Sequence, residues 1–132
     1  MTDDERLDAA AALQLPPVPS SAARARRFIG ELCAATQMPA EMCDTAALLV
    51  SELVTNAIIH GKTSATIEVH QPPGTLRVSV RDDNPVLPAV GTNPALSAES
   101  GRGLTIVSVL ADAWGVEQLE AGKAIWFELR LS

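Results

Sequence analysis

In "VSELVTNAIIHG", residues 50–61, three polar side chains recur at four-residue intervals: Glu52, Asn56 and His60. A four-residue step advances about 40° around an α-helix, so the three form one slanted stripe. Ala46, Val50, Leu53 and Ala57 fill the adjacent sector, which puts the stripe at the border of a buried face. A carboxylate and an amide at such a border need partners, and neighbouring backbone could supply them. Two later stretches add to the signal. In "VRDDNP", residues 80–85, an Asp at a strand end can accept a hydrogen bond from an exocyclic amine in a closed pocket, although Asp is also a common turn former. In "GRGLTIV", residues 101–107, two glycines before a helix let backbone approach a ligand closely. The N–H groups at that helix start then suit a phosphate. An amine acceptor and a phosphate cradle together point to a nucleotide.

These residues need elements to hold them. Residues 10–15 are short and apolar and read as an edge strand, stopped by Pro16, Pro17 and Pro19. Ser20 or Ser21 can cap a helix through Ala22, Arg26, Ile29, Leu32 and Cys33. Pro39 suits the first turn of a second helix, which carries the stripe and ends at Gly61. Alternation then replaces the helical period. Ile67 and Val69 pair inward, Pro72-Pro73-Gly74 turns, and Leu76, Val78 and Val80 alternate with Arg77, Ser79 and Arg81. Residues 83–100 are rich in turn formers and lack a period, as in a functional loop. A third helix over 104–110 precedes two strands, over 114–119 and 124–131, joined at Ala121-Gly122. Helices alternating with hairpins predict an α+β fold: a two-layer sandwich, not a doubly wound parallel sheet.

The totals narrow the function classes. The chain has 132 residues, 47% of them hydrophobic, which suits one globular domain. The net charge of -6, with Arg24, Arg26 and Arg27 as the densest basic run, argues against direct nucleic-acid binding. Those arginines read as a solvated helix face. Cys33 and Cys43 sit among apolar neighbours and read as buried thiols, not as a disulfide framework or metal site. Asp3, Asp4 and Glu5 have the wrong charge for a signal peptide, and residues 1–8 read as a disordered acidic tail. No apolar run reaches bilayer length, so the expectation is a cytoplasmic protein without membrane contact.

The three motifs, in this order, resemble the Bergerat-fold ATP-binding domains shared by gyrase, histidine kinases and MutL. The resemblance is strongest to the stand-alone branch of bacterial anti-sigma factors that are also serine-protein kinases. It runs from about Ser20 to Leu131. "LVSELVTNAIIHG" resembles that branch's N box, "VSVRDDNPVLP" its G1 box, "GRGLTIVSVLADAWGV" its G2 box, and "GKAIWFEL" its last strand pair. The resemblance implies a mixed, mainly antiparallel sheet covered on one face by three helices. It also implies a single domain over 9–132, with an ATP lid over about 83–103.

Residue roles follow from the resemblance by position. Asn56 matches the Asn that holds Mg²⁺ against the phosphates of ATP, and Glu52 the acid that orients or deprotonates the nucleophile. Asp82 matches the Asp that reads the adenine amine, with Asn84 beside it. Gly101, Arg102, Gly103 and Leu104 match the end of the lid over the phosphates, and His60 lies near the phosphate side. Asn84 and Val86 occupy places where the wider superfamily has glycines, and Ala124 stands where a Thr usually lies near the adenine. The implied partners are a sigma factor or similar regulator and a STAS-type antagonist whose serine is phosphorylated. A homodimer is usual in that branch. Two other readings share the fold. One is a non-catalytic interaction protein with weak or absent nucleotide binding. The other is a detached histidine-kinase domain, disfavoured because neither His60 nor His70 suits a phospho-acceptor.

Overall fold

The computed structural model of the protein describes residues 11–84 and 100–131, residues 100–103 by backbone alone. The expected acidic tail and most of the expected lid, Val86 included, lie outside the described residues. In chain order the elements are β1 (Ala11–Leu15), α1 (Ser21–Ala35), α2 (Ala40–Thr55) and a π-helical turn (Asn56–His60). They continue with β2 (Ala65–His70), β3 (Thr75–Asp82), α3 (Ser100–Leu110), β4 (Ala113–Leu119) and β5 (Gly122–Arg130). The strands form one sheet in the order β1-β2-β3-β5-β4, with every described pair antiparallel. This is the expected α+β sandwich, with the short first strand at an edge.

Period decides which residues face inward. On α1, Ala25, Ile29 and Cys33 are buried at four-residue spacing; on α2, Ala46, Leu49, Val50, Leu53 and Val54 are. From the sheet, Ile67 and Val69, Leu76, Val78 and Val80, and Ile125, Phe127 and Leu129 join them in one core. The helices therefore lie on the face carrying the odd-numbered residues of β2 and β5. Phe127 is the largest fully buried side chain, and truncating such a residue costs about 3–5 kcal/mol. On the opposite face Arg77 lies 4.2 Å from the Trp126 ring centroid and bonds Glu128 Oε1 at 2.9 Å. Arg24, Arg26 and Arg27 are exposed. Cys33 is buried, and burial followed by its contact with Cys43 pushes its thiol up to about 12; Cys43 is only half-buried.

Three local expectations are corrected. Neither Ser20 nor Ser21 caps α1: Ser20 already has helical backbone angles, from which a side chain cannot reach back to the first N–H groups. The Ser21 hydroxyl donates instead to Pro16 O at 2.7 Å, because the proline-rich turn brings that carbonyl over the helix start. The second correction concerns apolar length. α2 and the π turn are continuous over Ala40–His60, 21 residues that include an 18-residue stretch of mean hydropathy 1.4, long and apolar enough by length and composition to cross a membrane. Its buried stripe against α1 and the sheet is that of a core helix. The third is the start of α3, which includes Gly101, Arg102 and Gly103 in its first turn instead of following them.

Candidate functional site

The site is built where α2 ends. Gly61 N–H donates to Asn56 O at 2.8 Å, a bond spanning five residues instead of four. That wider turn breaks the ideal stripe. Glu52 and Asn56 keep α-helical spacing and are half-buried, whereas His60, carried round the π turn, is exposed. Such turns occur often at functional sites, since one extra residue re-aims the side chains around it.

The end of β3 meets this helix end. A Cβ at Gly61 would stand 2.8 Å from Ala57 O and 3.3 Å from Asn84 Nδ2, so the missing side chain is what lets Asn84 approach. Thr63, just beyond, faces Asp83, whose N–H reaches its hydroxyl at 3.4 Å. Asp82 and Asn84 thus come to the end of the helix that carries Asn56. α3 packs on both α2 and the π turn, and Gly101 to Gly103 lie in its first turn. N–H groups in a helix's first turn have no partner within the helix. Leu104 is fully buried in the core, so what it can offer a ligand is backbone. The side chain of Arg102 lies outside the described residues.

Asp82 faces the helices, in step with Val78 and Val80. Its carboxylate is tightly held. Asn84 N–H donates to Oδ1 at 2.9 Å, and Lys123 Nζ stands 3.1 Å from each oxygen. The same ammonium donates to Asn84 O at 3.1 Å. Both side chains of the ion pair are at least nine-tenths buried. Burial of opposite charges is tolerated when each is paired and hydrogen-bonded, as here.

Lys123 was not singled out in the sequence, where Ala124 was read as standing at the place of a Thr near the adenine. The register sets the two residues apart. Lys123 is the cross-strand partner of Asp82, while Ala124 is opposite Arg81 on the far face of the sheet. The inward series Ile125, Phe127, Leu129, extended back by one step, would have found Lys123. At this corner Gly122 has φ +155°, and a Cβ there would lie 2.0 Å from Asp82 O. Only glycine fits against the end of β3.

A cavity of about 310 Å³ lies elsewhere. It is lined by Pro39, Met42, Thr45, Leu110 and Leu129 among others, at the start of α2 and away from Asn56. Among the described residues no three His, Cys, Asp or Glu converge on a metal position. The donor set at the Asp82 end fits an adenine nucleotide. An ionised carboxylate offers about four lone-pair sites. The three contacts on Asp82 leave one of these on Oδ2.

Comparison with known proteins agrees with this fit. The family model of the histidine kinase-like ATPase domain matches residues 15–129. An uncharacterized protein of Streptomyces coelicolor is 39% identical over 80 residues, 58% of this chain and 76% of that protein. The crystal structure of the RsbU and RsbW domains of Rv1364c from Mycobacterium tuberculosis superposes with a TM-score of 0.70 at 19% identity. That match covers 92% of this chain and 33% of the other. A blue-light activated histidine kinase of Erythrobacter litoralis gives a TM-score of 0.55 at 26% identity, over 72% of this chain and 32% of the kinase. The chain thus spans about a third of each of these two solved chains.

Proposed function

Because the chain belongs to the histidine kinase-like ATPase domain family, a family of ATP-binding regulators and kinases, we propose that it binds Mg-ATP at the Asp82 end and phosphorylates a serine on an antagonist protein. The observation that carries the reading is the buried Asp82 carboxylate, held with one acceptor position open beside the helix end that bears Asn56. Asp82 accepts from the adenine amine. Asn56 offers Mg²⁺ an amide oxygen, a hard ligand suited to a cation that takes few protein donors. The first-turn N–H groups around Gly101 favour phosphate oxygens, with Gly103, Leu104, Arg102, Asn84 and His60 at the margin. When bound, ATP supplies the phosphoryl group and Mg²⁺ offsets its charge. Glu52, one turn before Asn56, orients the serine hydroxyl and takes its proton. The fitting partners are a sigma factor or similar regulator and a STAS-type antagonist, met in the cytoplasm, with the chain acting as a homodimer.

The second reading, a non-catalytic interaction regulator with weak or absent nucleotide binding, draws on the same pair. Lys123 already neutralises Asp82, which weakens its pull on an amine. Transfer of radiolabelled phosphate from ATP to a serine of a candidate antagonist separates the two. Labelling that requires this chain supports the kinase; binding of the antagonist without labelling supports the interaction regulator.

A further inference from the structure

We infer that Lys123 is a second base-reading residue, donating to the adenine ring nitrogen that adjoins the amine accepted by Asp82. The inference rests on the reading of Asp82 as the amine acceptor and deepens it.

The argument starts from placement. Lysine is almost never fully buried unless paired, and its long stem ordinarily lets the charge reach water. Lys123 does the opposite. It stands inward on β5, directly across from Asp82, with an exposure of only 9%. Its ammonium has three N–H donors. Equal 3.1 Å separations from Oδ1 and Oδ2 put Nζ near the bisector of the carboxylate, where one N–H serves both oxygens. A second goes to Asn84 O at 3.1 Å. The third is taken by no described residue.

The carboxylate and the ammonium together therefore present an acceptor and a donor about one hydrogen-bond length apart. The pairing edge of adenine carries the complement, an amine donor at C6 next to an unprotonated N1 acceptor. Guanine reverses that order, with an oxygen at C6 and a protonated N1. A fixed Asp82–Lys123 pair reads the order as well as the groups. Its rigidity comes from the same contacts, because Lys123 ties Asp82 to Asn84 across the turn that leaves β3.

The probe is 1-deaza-ADP, which keeps the amine and lacks the N1 acceptor. Equilibrium binding of Mg-ADP, Mg-1-deaza-ADP and Mg-GDP is measured for the wild-type chain and for Lys123→Met. Hydrogen bonds to charged groups set the scale, so the wild type loses roughly tenfold in affinity or more on loss of N1, and binds GDP more weakly still. Lys123→Met binds ADP and 1-deaza-ADP alike. Should Lys123→Met fail to fold, the wild-type comparison of ADP with 1-deaza-ADP decides on its own. A wild type that binds ADP and 1-deaza-ADP equally overturns the role of Lys123 and leaves the nucleotide reading standing. Full N1 dependence retained by the variant overturns that role in the same way. A wild type that binds no ADP at millimolar concentration overturns both.

Discussion

Asp82 and Lys123 face each other across β3 and β5, carboxylate to ammonium at 3.1 Å, on the side of the sheet that the helices cover. Two charges in such a place are stable only together. Removing one partner of a buried pair typically costs about 3–5 kcal/mol, while replacing both with neutral groups is often close to neutral. Urea unfolding is therefore expected to show Asp82→Ala and Lys123→Met each strongly destabilised, with the double variant recovering most of the loss. Additive losses in the double variant would mean that the pair does not interact as described.

Gly122 sets how close β5 comes to the end of β3. A Cβ there would lie 2.0 Å from Asp82 O and 2.9 Å from Asp83 Cα, both backbone atoms that cannot swing aside. Gly122→Ala is expected to lower stability by roughly 2 kcal/mol or more. It should also weaken nucleotide binding, because the strand end that moves carries Asp82. Unchanged stability and affinity, measured by urea unfolding and calorimetry, would show that this contact is slack.

Much of this was legible in the sequence, and what was not has physical causes. Alternation in Leu76, Val78, Val80 and in Ile125, Phe127, Leu129 specified the inner face, because a strand's side chains have a period of two. Four-residue spacing likewise specified α1 and α2. Asp82 and Asn56 were read as candidates from their neighbours in the motifs. Lys123 was missed because the expected strand began at residue 124, so the inward series Ile125, Phe127, Leu129 was not carried back one step to it. The π turn left no mark, since it depends on one backbone bond from Gly61 to Asn56 and not on residue type. The Ser21 hydroxyl was misassigned because its acceptor, Pro16 O, is brought near by the turn between them.

Glu128 links the outer face of β5 to acid stability. Its carboxyl is held below its usual value of 4.5, first by the hydrogen bond from Arg130, which burial opposes and Arg77 reinforces. A depressed folded-state value contributes stability that is present above the unfolded value and lost as pH falls through the folded one. The urea midpoint is thus expected to drop as pH falls below about 4.5. In Glu128→Gln this part of the drop should be absent. An identical acid profile in the variant would remove Glu128 from the account.

Glu52 and Asn56 are expected to fail differently. Asn56→Ala removes the Mg²⁺ ligand, so Mg-ATP binding and phosphoryl transfer should both fall. Glu52→Ala should leave nucleotide binding nearly intact and slow transfer by roughly 10²–10⁴-fold, the usual scale for a general base. Parallel measurement of ATP affinity and serine labelling tests this. Transfer at the wild-type rate by Glu52→Ala would make Glu52 structural.

The central claim is that a nucleotide binds at Asp82, and calorimetric titration with Mg-ADP tests it most directly, using the wild type and Asp82→Asn. The wild type is expected to bind, and at a hundredfold excess over the dissociation constant to gain about 2.7 kcal/mol of stability. Asp82→Asn keeps the shape of the side chain but exchanges an accepting oxygen for a donating amide, and its affinity should fall at least tenfold. Absence of binding by the wild type at millimolar Mg-ADP, or equal affinity in Asp82→Asn, would contradict the account.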